Sequence, residues 1–282
     1  MAELLKGAAV VAALNEKMTA EITDLKAKGI TPTLAILRVG ERDDDISYEK
    51  GAMKRCETVG VAVKNVILPA DVTQDVLLKN VDALNKDKSV HGVLIFRPLP
   101  KHLDEEAVRQ ALLPAKDIDG ITDGSLAGVF TGNGNGFPPC TAQACMEILD
   151  FYKINCAGKR AVVIGRSLVV GKPAAIMLMG KNATVTVCHT KSVDMPSVAR
   201  NAEILIVAAG KANAVTKEYL APGQIVVDVG INMTEDGKLC GDVKFDDAEP
   251  IVGAITPVPG GVGTVTTSVL VSHVVEAAKK TL

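Results

Sequence analysis

Short aliphatic runs alternate with helix-period segments along most of this 282-residue chain, and that alternation restricts the fold more than any other feature. Helical periodicity over residues 8–28 leads into Thr33–Val39 (TLAILRV), a compact run ending at Gly40. Pro32 suits a strand start, where no ladder donor is yet needed. The pattern then predicts a helix over 44–59, a strand over Val61–Leu68, a helix over 73–87 opened by Thr73, and a strand over Gly92–Phe96. Arg97-Pro98-Leu99-Pro100 ends that run, because proline cannot donate to a ladder. A second series follows: helix 141–153, strand Arg160–Ile164, helix 172–180, strand Thr184–Cys188, helix 194–200, and strands Ile204–Ala208 and Ile225–Val229. An amphipathic helix runs from about residue 265 to the end. Such alternation predicts an α/β fold with parallel sheets covered by helices.

Between the two series, residues 114–140 hold Asp117, Asp119, Asp123 and the loop TGNGNGFPPC. The stretch reads as a hinge or cleft loop with a domain boundary near residue 140. The predicted organisation is two domains around a cleft: 1–140 completed by the C-terminal helix 265–282, and a Rossmann-type domain over 141–264.

Composition narrows the function. With no Trp, three Tyr and five Phe, the core must be aliphatic, and a base-stacking surface for nucleic acid is hard to assemble. Lys and Arg number 31 against 33 Asp and Glu, so there is no broad basic face for a phosphate backbone. Cys56, Cys140, Cys145, Cys156, Cys188 and Cys240 form no CxxC pair and read as small buried hydrophobes in a reducing cytoplasm. Four dispersed histidines give a metal site little support, and His189 and His273 read as hydrogen-bonded structural residues. No signal peptide and no run of about 18 apolar residues is visible, so the expectation is a cytoplasmic protein away from the membrane.

The strongest local motif is AVVIGRSLVVGKP, residues 161–173. A short strand runs into Gly165, and a helix opens near Gly171 and Pro173, with Arg166 and Ser167 in the turn. Close backbone approach at a helix mouth is what a pyrophosphate needs, although the spacing is not GxGxxG. The next strand ends at His189-Thr190-Lys191-Ser192, where an NAD site commonly carries an acid for the ribose hydroxyl. Hydroxyls, Lys191 and Arg166 there predict NADP in preference to NAD.

GRSLVVGKP, VDVGIN (227–232), GDV (241–243) and ITPVPGGVG (255–263) together resemble the methylenetetrahydrofolate dehydrogenase/cyclohydrolase family. VG at 39–40 with Tyr48 beyond it, PLP at 98–100, KDIDG at 116–120 and PPCT at 138–141 extend the likeness from about residue 5 to the C-terminus. The resemblance implies a homodimer with a nicotinamide cofactor on the Rossmann half. It also implies oxidation of 5,10-methylenetetrahydrofolate to the 5,10-methenyl cation, which most members then hydrolyse to 10-formyltetrahydrofolate. By the same resemblance, Gly165, Arg166, Ser167, Gly171, Thr190 and Ile231 would contact the dinucleotide. Tyr48, Ala52, Ile95, Phe96, Arg97, Asp119 and the segment Pro259, Gly260, Gly261, Val262 and Gly263 would line the substrate site.

The match at the catalytic positions is incomplete. Tyr48 and Asp119 are present, but the family's Lys, four residues after the Tyr, is Ala52, and its Gln is Phe96, followed by Arg97. Thr264-Val265 replaces the usual Pro-Met after PGGVG. Lys50 and Lys54 fall away from the Tyr48 face of a helix, whereas Arg55 returns to it one turn farther on. Arginine stays protonated and cannot serve as a general base. The expectation is therefore a dehydrogenase with weak or absent cyclohydrolase activity. The alternatives are the full bifunctional enzyme, with hydrolysis supported by Tyr48, Asp119 and ordered water, and a non-catalytic folate- or nucleotide-binding paralogue.

Overall fold

Parallel strands form wherever the aliphatic runs stood in the sequence. The computed structural model describes residues 1–234 and 236–282. In chain order the elements are β1 (Glu3–Leu4), α1 (Gly7–Ala27), β2 (Thr33–Val39), α2 (Asp43–Val59), β3 (Ala62–Leu68), α3 (Gln74–Lys86), β4 (Gly92–Ile95), α4 (Glu105–Ala111), α5 (Asp123–Thr131) and α6 (Cys140–Phe151). There follow β5 (Arg160–Ile164), α7 (Gly171–Gly180), β6 (Thr184–Cys188), α8 (Met195–Arg200), β7 (Ile204–Val207), β8 (Ile225–Asp228), β9 (Asn232–Met233), β10 (Leu239–Cys240), α9 (Phe245–Ala248), β11 (Ala254–Ile255) and α10 (Val262–Lys279).

The chain divides into two compact units, one of Ala13–Cys140 with Thr267–Leu282, the other of Met1–Ala12 with Thr141–Thr266. The first carries the parallel sheet β3-β2-β4, with Leu34 opposite both Val63 and Gly92. Its β2 is buried along nearly its whole length, which is why TLAILRV reads as a continuous apolar run. Ala35, Leu37, Leu77, Val81, Val93 and Val108 form the aliphatic core beneath that sheet.

The second unit carries a six-stranded parallel sheet in the order β1-β11-β8-β7-β5-β6. Its neighbours β6 and β7 lie on opposite sides of β5, so the chain reverses direction there. An open α/β sheet leaves a ligand crevice at such a switch point, beyond the carboxyl ends of the strands. The two-residue β1 pairs with β11, which takes the first residues into this unit rather than into the 1–140 domain expected from sequence. So short a strand has too little pattern to be read.

Residues 114–140 are not wholly a loop. They include α5, whose N-cap Thr122 accepts a hydrogen bond from the Ser125 N–H at 3.1 Å. The glycines had masked it. Gly128 sits against the Asn135 backbone so closely that a side chain would collide, so its glycine answers to packing rather than to a turn. Cys56, Cys140, Cys145, Cys156 and Cys188 are buried, and desolvation pushes the Cys56 and Cys145 thiols up to about 12. Among the described residues no helix is long and apolar enough to cross a membrane.

Candidate active site

The crevice at the β5 switch point is built from backbone. Gly165 follows β5 at φ 118°, and a Cβ there would strike the Ala208 carbonyl oxygen. Its N–H donates to the Cys188 carbonyl at 2.8 Å, and the Ala208 N–H donates to that of Ile164 at 2.7 Å. Three strand ends are thereby held together. Gly171 opens α7 against the Gly165 carbonyl oxygen, with no room for a side chain. The Ser167 hydroxyl accepts from the Val170 N–H at 3.1 Å and tightens the turn.

Around this corner lies a cavity of about 330 Å³, lined by Gly165, Arg166, Ser167, His189, Thr190 and Lys211 among others. Four of the residues expected at a dinucleotide are thus gathered in one place. Gly171 is not in the lining; it lets the helix mouth approach. Two expectations change. Lys191 is absent from the lining and Lys211, from the loop after β7, is present; His189, read as structural, also lines it, as does Tyr219. The His189 Nδ1 accepts the Lys191 N–H at 3.1 Å, which leaves the ring proton on Nε2. Lys211 carried no motif in the sequence, and only the topology of β7 brings it here.

Ile231 and residues 259–263 belong to a second hollow of about 160 Å³, together with Asp228, Gly230 and Leu239. The VDVGIN and GDV motifs explain themselves here. Asp228 accepts N–H bonds from Gly230, Asp242 and Val243 at 2.9, 3.0 and 2.9 Å. Asp242 in turn accepts from the Gly210 and Lys211 N–H groups, both at 2.9 Å, and from the Asn232 amide at 2.9 Å. Two buried carboxylates thus tie the loop after β7 to the loop after β8. Burial lifts Asp228 to about 6 despite those donors.

In the other unit, α2 presents Tyr48 beside Phe96 at the end of β4, ring centroids 5.8 Å apart and edge to face. Ala52 is fully buried one turn along and offers no polar atom. Tyr48 keeps 39% of its surface exposed, yet its phenol is pushed above its ordinary range, first by desolvation and then by the charge of Asp119. Asp119 is lifted to about 6 by burial, opposed by the neighbouring Cys140 thiol and by the charge of Arg97. The Cys140 thiol donates to the Ile118 carbonyl at 3.1 Å. Tyr48 thus meets Phe96 ring to ring and lies within the field of the Asp119 carboxylate. Ile95, at the same strand end, is buried. Arg97 pairs with Glu105, its Nη1 3.5 Å from that carboxylate.

A buried ion pair holds this part of α2. Arg38 on β2 meets Glu49, the residue after Tyr48, at 2.6 Å, with the two side chains only 8% and 9% exposed. Arg38 also donates to the Gly40 carbonyl, and the Asn65 amide donates to Glu49 at 3.3 Å. The N-cap residue Arg42 reaches the Pro98 carbonyl at 3.2 Å, linking the start of α2 to the turn after β4. Sequence reading had no signal for these partners, since Arg38 lies inside an apolar run.

Two family models match the chain: the tetrahydrofolate dehydrogenase/cyclohydrolase catalytic domain over residues 5–119 and its NAD(P)-binding domain over residues 139–282. The bifunctional protein FolD of Carboxydothermus hydrogenoformans is 52% identical over 281 residues, 99% of this chain and 98% of that protein. The crystal structure of the bifunctional FolD methylenetetrahydrofolate dehydrogenase/cyclohydrolase from Campylobacter jejuni superposes with a TM-score of 0.97 at 40% identity over all of both chains. The Trypanosoma brucei dehydrogenase-cyclohydrolase, solved with NADP cofactor and an inhibitor, matches with a TM-score of 0.91 at 34% identity, covering 99% of this chain and 98% of its own. The chain belongs to the tetrahydrofolate dehydrogenase/cyclohydrolase family.

Proposed function

We propose that the protein oxidises 5,10-methylenetetrahydrofolate to 5,10-methenyltetrahydrofolate with NADP, as a cytoplasmic homodimer, and hydrolyses the product to 10-formyltetrahydrofolate in the same site. The observation that carries the reading is the glycine-built cavity at the β5 switch point in a chain whose other unit groups Tyr48 with Asp119. When bound, the nicotinamide supplies the hydride acceptor. The substrate methylene lies between two nitrogens whose lone pairs stabilise the cation, so alignment is the main demand on the protein. Gly165, Ser167 and Thr190 would hold the dinucleotide. Arg166 and Lys211 in the lining favour a 2′-phosphate, and the NADP complex of the Trypanosoma brucei relative supports that preference.

Asp119 would accept hydrogen bonds from the pterin's N–H donors. At about 6 it also lies where a general base for water works near neutrality. The Tyr48 phenol, held protonated, would orient that water. Relatives named bifunctional at up to 52% identity favour this two-step reading over the dehydrogenase-only expectation drawn from Ala52 and Phe96. The second reading rests on those two side chains alone, since neither carries a polar group.

Methenyl formation and its decay, followed separately by absorbance with each cofactor, test both steps. Turnover with NADP well above that with NAD, and hydrolysis at a rate comparable with oxidation, are expected. No turnover despite binding of folate and NADP would overturn the enzyme assignment. Hydrolysis at the background rate, rising in an Ala52→Lys/Phe96→Gln variant, would instead establish the dehydrogenase-only reading.

A further inference from the structure

We propose that Asp242 is a positioning residue for the cofactor: by clamping the Gly210 and Lys211 N–H groups with its carboxylate, it aims Lys211 at the 2′-phosphate of the dinucleotide. The inference rests on the proposed NADP reading of the cavity at the β5 switch point and assigns the residue that builds that preference.

One wall of that cavity is the loop after β7, which contributes Ala208, Ala209, Lys211, Ala214 and Val215. Lys211 and Arg166 bring positive charge to the lining, and the described residues around the cavity include no acid. The shape of the loop is imposed from outside, by residues 241–242. Asp242 takes the Gly210 N–H on one carboxylate oxygen and the Lys211 N–H on the other, both at 2.9 Å. Its backbone carbonyl accepts the Val215 N–H at 2.9 Å, and the Gly241 carbonyl accepts that of Asn213 at 3.1 Å. The wall thus hangs from two adjacent residues of the GDV motif.

The clamp has no room to swing. Asp242 is fully buried, its N–H donates to Asp228 at 3.0 Å, and the oxygen that holds Lys211 also accepts the Asn232 amide at 2.9 Å. A Cβ on Gly230 would lie 2.5 Å from that same oxygen, so glycine backbone packs directly against the carboxylate. Lys211 is exposed by contrast, and its long side chain is flexible, so the aim of its ammonium depends on where its backbone starts. The task also needs a carboxylate rather than an amide. Asparagine would keep an oxygen for one of the two N–H groups and turn its NH2 toward the other, donor against donor. A buried N–H without a partner is costly, so the loop would move and take Lys211 with it.

The test measures equilibrium binding of adenosine 2′,5′-bisphosphate and of AMP by calorimetry, without folate or turnover. The ratio of the two dissociation constants reads the 2′-phosphate alone. Lys211→Met should lower that preference about tenfold, the worth of one charge-assisted contact. Asp242→Asn should lower it about fivefold, and Asp242→Asn/Lys211→Met no further than Lys211→Met, because the one residue acts through the other. An Asp242→Asn protein that loses both nucleotides equally, with the ratio unmoved, overturns the proposal, as does a double variant in which the two losses multiply. Should Asp242→Asn fail to fold, Gly210→Ala strains the clamp from the loop side, since a Cβ there meets nothing within 4 Å but φ 66° disfavours alanine. It should lower the ratio too, and an unchanged ratio overturns the proposal. A parent protein that binds both nucleotides equally overturns the NADP reading itself, and the parent ratio tells that failure from failure of the clamp.

Discussion

Gly171→Ala and Gly180→Ala make the same chemical change in the same helix, and the structure separates their outcomes. Alanine in place of glycine favours a helix by up to about 1 kcal/mol at either position. At Gly180 a Cβ meets nothing within 4 Å, so any such gain is kept. At Gly171 the Cβ overlaps the Gly165 carbonyl oxygen and lies 2.8 Å from the Arg166 N. Both obstacles are backbone and cannot rotate aside, so the corner must open. Overpacking of this kind costs about 1–3 kcal/mol, which exceeds the helix gain. The two variants should differ by about 2 kcal/mol, or about 4–8 °C in Tm at about 2–4 °C per kcal/mol. The displaced atoms are also the mouth of the cavity. A shift of about 1 Å in a positioning group can cost about a hundredfold, so KM for NADP should rise at least about tenfold in Gly171→Ala only. Thermal melts and NADP titrations of the dehydrogenase rate measure both effects. Equal melting temperatures, or an unchanged KM for NADP in Gly171→Ala, would refute the reasoning.

Two further perturbations address the other unit. Glu49→Ala leaves Arg38 buried without its carboxylate and should cost about 3–5 kcal/mol in urea denaturation, whereas the double change Arg38→Met/Glu49→Leu should recover most of it; equal losses in both would contradict the buried-charge argument. His273 is held neutral by burial, its Nδ1 donating to the Ile118 carbonyl at 2.8 Å, and its folded value falls to about 4 from 6.5. Because the unfolded chain binds the proton more readily, the stabilisation is present above pH 6.5 and is lost as pH falls through 4, about 3 kcal/mol in all. In His273→Gln that part of the stability slope between pH 6.5 and 4 should vanish, and an unchanged slope would exclude His273 as its source.

Much of the architecture was legible because period and punctuation are local properties. Thr33–Val39, Arg160–Ile164 and Thr184–Cys188 stand as strands at the predicted bounds, since each is a short β-branched or aliphatic run stopped by a glycine or a polar turn. The two-residue strands β1 and β11 were not legible, because such pairs have no pattern until a sheet edge accepts them. In α5 the glycines that suggested a loop answer to Asn135 and Pro114 packing above them, which no local window reveals.

The candidate site divides the same way. Gly165 and Gly171 could be read from sequence because close backbone approach demands glycine at fixed spacing along one strand–turn–helix corner. Ala52 and Phe96 could be read as replacements because each lies at a fixed offset from a recognisable motif. Sequence by itself thus determined the strand–helix order, the glycine-built strand–turn–helix corner, and the apolar side chains at positions 52 and 96. Tertiary structure alone decided that Lys211 rather than Lys191 lines the cavity at the β5 switch point, that Glu49 holds Arg38, and that Glu105 pairs with Arg97. The physical reason is distance along the chain. Backbone conformation depends on neighbours a few residues away, whereas charges interact through space, across strands whose order is fixed only when the sheet closes.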